Sequence, residues 1–132
     1  MLEVLEIEST KRNDLIDITG EISAAVSRAR IESGLCCLYV PHCTAGVTIN
    51  ENADPTVKFD ITKKLESMIP RSENYTHSEG NSDSHVKSSI IGTTLTIIIK
   101  DGSLVLGTWQ GIYFCEFDGP RSRKIYVKTI EG

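Results

Sequence analysis

The sequence predicts an α+β fold of seven or eight mostly antiparallel strands, laid out as a sheet or sandwich, with three helices. Three observations carry this. The apolar runs of the last third cluster one after another, the first two as a hairpin through the Asp101-Gly102 turn and the last two joined by Asp118-Gly119-Pro120. The helical periodicities fall earlier, without the regular strand–helix alternation of a parallel sheet. The length of 132 residues, 39% apolar and 24% charged, suits one domain, 1–132, with one core.

In chain order, LEVLEIES alternates as an opening strand, and Asp14 to Ile18 offers a short second one. Thr19 is placed to cap a first helix, with Glu21 in its first turn and Ile22, Ala25, Val26 and Ala29 on one apolar face. Gly34 supplies the stop. LCCLYV, 35–40, is a continuous apolar run suited to a central strand; VTINE, after the turn from Pro41 to Gly46, alternates as the next. Asp54-Pro55 starts a second helix, a capping carboxylate followed by proline at the first helical position. Its buried stripe is Val57, Ile61, Leu65 and Met68, and Pro70 ends it. Residues 70–82 have no periodicity and form the longest irregular segment, a place where functional loops occur. Ser82 or Asp83 can cap a short third helix through Ile91, closed by Gly92. TTLTIIIK and SLVLG then form a hairpin, and GIYFCEF and RKIYVKTI complete the strands.

The net charge of -4 gives no global attraction to nucleic acid or to anionic membranes, although a local basic patch is compatible with it. No apolar stretch reaches the roughly 18 residues of a membrane span. MLEVLEIEST lacks the basic and apolar regions of a signal peptide, so the chain is expected to be cytoplasmic. Four cysteines form no C-x-x-C pair, which argues against a zinc ribbon or a thioredoxin-type motif. Cys36, Cys37 and Cys115 lie in apolar runs and read as buried thiols; Cys43 has polar neighbours.

All three histidines, His42, His77 and His85, stand in polar contexts rather than on apolar stripes. Their spacing matches no zinc finger. If they converge, three neutral imidazoles with an open fourth position are what catalytic zinc uses; nickel, copper and iron(II) also accept imidazole. Glu79, Asp83 and Glu51 lie close to them in sequence and can orient an imidazole or act as general base; otherwise they are solvated loop charges. CTAG, with Thr44, and EGN, with Asn81, offer small residues and free amides that can cradle an anion, or be ordinary turns. Arg121 and Arg123 follow a Gly-Pro turn and can clamp a phosphate or lie on a solvated strand edge. Trp109, in GTWQG, is expected to plug the core or a subunit interface rather than to stack on a ligand.

HCTAGVTINENADP (42–55), Pro70 to Tyr75, HSEGNSDSHVKSSIIG (77–92) and GSLVLGTWQGIYFCEFDGPRSRKIYV (102–127) lie in an order, and at a specificity, that resemble the YjbQ-like family of small proteins. GTWQGI followed by EFDGPR, with the H-x-E-G-N-x(3)-H block, carries most of the likeness. The resemblance implies a β-sandwich core and homotrimers whose site lies near a subunit boundary. It also implies a divalent metal, zinc by preference, held by His42, His77 and His85. The family's usual label is secondary thiamine-phosphate synthase, the joining of a pyrimidine diphosphate to a thiazole phosphate, which reads as a side activity. The chain is too short for a (βα)8 barrel of about 200 residues or more and shows no acidic cluster suited to magnesium diphosphate. It departs from the family pattern at Cys43 and Gly46, where relatives tend to carry threonine and alanine or serine. Cys43 thereby sets a candidate sulfur ligand or oxidisable thiol beside the site.

The expectation is a trimeric, metal-dependent enzyme for a small phosphorylated substrate. Glu79 or Glu51 would be its acid–base group, and Arg121, Asn81 and Thr44 would contact the substrate. The alternative is a non-catalytic metal- or anion-binding trimer.

Overall fold

Two antiparallel sheets enclose the main core in the computed structural model, which describes residues 1–132. The elements run β1 (Leu2–Glu8), β2 (Asp14–Asp17), α1 (Thr19–Ala29), β3 (Ser33–Tyr39), β4 (Ala45–Glu51), α2 (Pro55–Met68), α3 (Ser82–Ile91), β5 (Thr94–Lys100), β6 (Ser103–Leu104), β7 (Gln110–Glu116) and β8 (Ser122–Glu131). The larger sheet has the order β1-β8-β3-β5-β6, the smaller β2-β7-β4. Because side chains alternate across a strand, each sheet gives one face to the core. Ile7, Cys36, Leu38, Ile97, Ile99, Ile125 and Val127 of the first meet Val47, Ile112 and Phe114 of the second, with Ile22, Ala25 and Val26 of α1 filling one side. The fold is thus the expected α+β domain of eight strands and three helices.

Several local expectations are corrected. Thr19 does not cap α1, because its hydroxyl donates to Asp17 Oδ1 at 2.6 Å and accepts from the Ile112 N–H at 2.9 Å, fastening the helix start to β7. Nor does Gly34 end α1, which closes at Arg30 in a left-handed conformation (φ 54°). Gly34 lies in β3, where a Cβ would stand 1.9 Å from the Ile130 carbonyl oxygen, so its role is close strand approach. The Asp101-Gly102 turn has positive φ at both positions, 52° and 76°, as a two-residue hairpin requires. Its second strand, β6, is shorter than SLVLG suggested.

Asp54 caps α2 as expected, its Oδ1 accepting the Thr56 N–H at 2.9 Å. The expected buried stripe is shallower, and no residue of α2 is fully buried. Ile61 and Leu65 are half-buried on a small second cluster of Leu15, Tyr113, Cys115 and Phe117, while Met68 is exposed. Helix α3 inverts the usual pattern. Its buried residues are Ser82, Asp83, Ser84, Lys87 and Ser88, so it is held by polar bonds rather than by an apolar stripe. The Ser88 hydroxyl donates to the Ala45 carbonyl at 2.6 Å, and the Ser84 hydroxyl to that of Phe117.

The outer face of the larger sheet carries an apolar patch among charged and polar residues. Leu2, Val4, Leu35, Tyr39, Ile98 and Ile130 are exposed there, and Tyr39 and Tyr126 pack across β3 and β8 with ring centres 6.2 Å apart. Cys37 faces this side and is half-exposed rather than buried; Cys36 and Cys115 are buried and Cys43 is exposed, all four as free thiols. Trp109 is 63% exposed, so it plugs no core within the chain. No helix is long and apolar enough to cross a membrane.

Candidate metal and ligand site

The loop before α3 and the first turn of that helix bring two of the three histidines together. The His77 and His85 rings meet edge to face, with centres 5.3 Å apart and planes at 83°. Two imidazoles on one tetrahedral zinc, bonded at about 2.0–2.1 Å, have ring centres roughly 5 Å apart, so this spacing suits a shared metal. Glu79 Oε2 lies 3.6 Å from His77 Nε2, on a side chain 72% exposed and therefore free to move. The pair borders a cavity of about 300 Å³, walled also by Tyr75, Thr76, Ser82 and Val86. The loop is held from outside: the Tyr75 hydroxyl donates to the Pro70 carbonyl at 2.6 Å, and Asn81 is the N-terminal cap position of α3.

Polar anchors fix that turn of α3. Asp83 is fully buried and accepts both terminal nitrogens of Arg12, at 2.9 and 3.0 Å, and Lys87 Nζ at 3.1 Å. Although burial opposes its ionisation, those bonds from Arg12 and Lys87 outweigh it and hold the Asp83 carboxyl down at about 2. Asp83 therefore does not orient His85 or act as a base; it clamps α3 to the β1–β2 connection. Asn81 donates from Nδ2 to Asp118 Oδ2 at 2.9 Å, and Arg121 reaches the same oxygen from Nη2 at 3.0 Å. Two expected substrate-binding residues thus share one carboxylate. Arg121 also donates from Nε to the Asp118 carbonyl at 2.8 Å, so it is folded onto its own turn rather than open as a clamp. Asn81 Oδ1 is buried without a protein partner, an acceptor that a ligand N–H or O–H can meet.

His42 stands elsewhere, in the β3–β4 connection. Its Nε2 accepts the Lys124 backbone N–H at 2.9 Å. A neutral ring held this way carries its proton on Nδ1, and neither nitrogen then offers a lone pair to a metal. Burial, and next the Arg123 charge, lower its pKa, opposed by Glu116. Beneath it lies a closed polar cluster: Arg123 pairs with Glu116 and donates to Thr44 Oγ1 at 2.8 Å, and the Ser9 hydroxyl donates to Glu116 Oε1 at 2.7 Å. Thr44 and Arg123 are buried here, so neither is placed to hold an anion in the chain. Glu51 ends β4 six residues beyond Ala45, roughly 20 Å from the His42 turn at 3.4 Å per residue.

Within the chain, then, His77, His85 and Glu79 come together and His42 and Glu51 do not join them. No group of three or more His, Cys, Asp or Glu side chains is placed to hold a metal ion. The residues that sequence reasoning passed over are the anchors, chiefly Arg12, Glu116 and Ser9. Only the i,i+4 spacing of Asp83 and Lys87 left a local trace of theirs.

A family model described as UPF0047 protein YjbQ-like matches residues 3–132. A UPF0047 protein of Methanocaldococcus jannaschii is 57% identical over 130 residues, 98% of this chain and 94% of that protein. The UPF0047 protein YugU of Bacillus subtilis is 51% identical over 131 residues, covering 98% and 99%. Among solved structures, an uncharacterised protein of the same family from Clostridium acetobutylicum superposes with a TM-score of 0.95 at 47% identity, covering 97% and 99%. A protein of unknown function from Sulfolobus solfataricus does so with 0.96 at 28% identity, covering 100% and 97%.

Proposed function

The chain belongs to the UPF0047 family of YjbQ-like proteins, and from that premise we propose that it is a metal-dependent enzyme acting on a small phosphorylated molecule. The observation that carries this reading is the His77–His85 pair, 5.3 Å between ring centres, beside a cavity and within reach of Glu79. A divalent metal, zinc first, would be held by these two imidazoles and by a third from His42 of a neighbouring copy, and would supply Lewis-acid chemistry at the open side of the site. Glu79 takes up or returns a proton at the open side of the site, and Asn81 Oδ1 accepts a hydrogen bond from the substrate.

Two observations favour a contribution from a neighbouring copy. His42 as placed keeps no free lone pair, but its hydrogen bond to Lys124 is exposed and the ring can turn off it. It also lies at the margin of the apolar patch on the outer face, since Lys124 precedes Tyr126 by two residues on β8 and Tyr126 packs on Tyr39. An apolar patch of this kind is covered in an assembly, and the proposal is that a homotrimer sets this margin beside the histidine pair of the next copy, in the same way at each subunit boundary.

Metal content and turnover test the proposal together. The protein, purified without chelator and then given zinc, is expected to hold about one equivalent per subunit. His77→Ala and His85→Ala are each expected to lose it while the oligomer persists. Joining of a pyrimidine diphosphate to a thiazole phosphate is the first activity to assay with the loaded protein. Full metal content without turnover on any phosphorylated substrate would leave a metal-binding protein and refute the enzyme; no uptake at all would refute both.

A further inference from the structure

The roomiest cavity is not at the histidines. It lies along α2 and has a volume of about 550 Å³. A second cavity of about 320 Å³ adjoins it, with Asn13 and Glu66 as shared walls. Together they form a trough between α2, the β1–β2 connection and the first turns of α3. Lys11, Lys58 and Lys63 line the larger part, and Arg12, Arg71 and Lys87 the smaller. Only Asp14, Glu66 and Asp83 oppose these six cations, so the trough carries +3 in a chain whose net charge is -4.

The distribution of partners makes the excess specific. Arg12 and Lys87 share the single carboxylate of Asp83, and Lys87 is 1% exposed. Two cations on one buried anion leave a positive charge in surroundings where screening by water is weak. Lys58 lies 3.6 Å from Asp14. Lys11, Lys63 and Arg71 have no carboxylate within salt-bridge distance. The single hydrogen bond of the Arg71 side chain is a long one, Nε to the Gly80 carbonyl at 3.4 Å, which leaves its two terminal nitrogens open. A planar guanidinium with both ends open, in a cavity whose lining sums to one positive charge once Arg71 is counted, matches the oxygens of a phosphate. The wall of the larger cavity also carries Phe59, 65% exposed on a helix that buries no residue fully. An exposed aromatic beside a row of lysines suits a flat ring joined to an anionic group.

We propose that this trough is a second ligand site, which binds an aromatic or heteroaromatic phosphate ester. The phosphate sits on Arg71 beside Arg12, with buried Lys87 contributing charge from beneath, and the ring lies along α2 toward Phe59. The site stands on charge and cavity alone and does not depend on a metal at His77 and His85. The trough adjoins that pair through α3, because Ser82 borders the histidine cavity and the next residue, Asp83, borders the trough.

Calorimetric titration of the purified, metal-free oligomer with phenyl phosphate and with inorganic phosphate tests this. Both are expected to bind, phenyl phosphate more tightly. Arg71→Ala, at an exposed position, is expected to weaken both about tenfold or more. Phe59→Ala is expected to weaken phenyl phosphate several-fold and leave inorganic phosphate unchanged. Lys100→Ala, which removes one positive charge on β5, is expected to change neither by more than about twofold. Absence of binding at millimolar phenyl phosphate would overturn the proposal, as would an Arg71→Ala protein no weaker than Lys100→Ala. Binding of a single-stranded oligonucleotide that depends on Arg71 and Phe59, with phenyl phosphate failing to bind, would also overturn it in favour of a nucleic-acid surface.

Discussion

His77 and His85 meet edge to face across 5.3 Å, although one stands in an irregular loop and the other on the first turn of a helix with no apolar stripe. What fixes their meeting is the underside of that helix. Asp83 and Lys87 point inward between the histidine turn and the rest of the domain, and Arg12 reaches Asp83 from the β1–β2 connection.

The first prediction concerns that anchor. Asp83 has its folded-state pKa depressed to about 2 from the usual 3.8. A depressed carboxyl contributes stability above the unfolded-state value and loses it as pH falls through the folded one. Urea unfolding should therefore show a stability loss of about 2 kcal/mol between about pH 4 and pH 2 that Asp83→Asn lacks. At neutral pH the same substitution should cost about 3–5 kcal/mol, because it leaves Arg12 and buried Lys87 without their carboxylate. An acid limb identical in wild type and variant would show that the clamp does not govern acid stability.

The sequence made the framework legible where one interaction dominates. Asp54-Pro55 announced α2 because the cap is local, and Asp101-Gly102 announced its hairpin because only such residues sit easily at positive φ. Longer-range contacts hid the rest. Gly34 looked like a helix stop because nothing nearby shows that Ile130 will approach it. Lys87 gave no sign of burial, since its i,i+4 spacing from Asp83 also suits a solvated pair and Asn13 reaches it only through the fold. Arg123 looked free for an anion because Glu116 and Thr44 reach it from other strands. In the candidate site, His77, Glu79 and His85 were readable as one polar block within nine residues. Where His42 belongs was not, because a hydrogen bond to Lys124 sets it within the chain and only an assembly can bring it to another copy's pair.

A second prediction concerns Glu79. Its exposed carboxylate does not anchor the fold, so Glu79→Gln should leave stability within about 0.5 kcal/mol and zinc content unchanged. Turnover should fall about 100-fold or more, with loss of one limb of the pH–rate profile, as expected for removal of an acid–base group. Unchanged turnover would assign that role elsewhere, with Glu51 from a neighbouring copy the next candidate.

The third prediction addresses assembly. Tyr39→Glu puts a charge on the outer face of the larger sheet at the end of β3, next to Tyr126, which Val4 flanks on its other side. Since Tyr39 is half-exposed in the single chain, the substitution should cost the protomer little. Sedimentation should show a trimer for the wild type and a monomer for the variant, and the variant should lose zinc affinity together with its assembly. A Tyr39→Glu protein that remains trimeric would place the contact on another face.

The central claim is that one metal site takes His77 and His85 from one copy and His42 from the next, and counting zinc in mixed oligomers tests it most directly. Alone, His42→Ala and His85→Ala proteins should each bind little zinc. Co-expressed in equal amounts, they should recover about a quarter of the wild-type content, the value for random pairing around a cyclic trimer in which each site needs an intact group from two different copies. A mixture that binds no more than its two parents, or a His42→Ala protein that alone binds a full equivalent, would contradict the account.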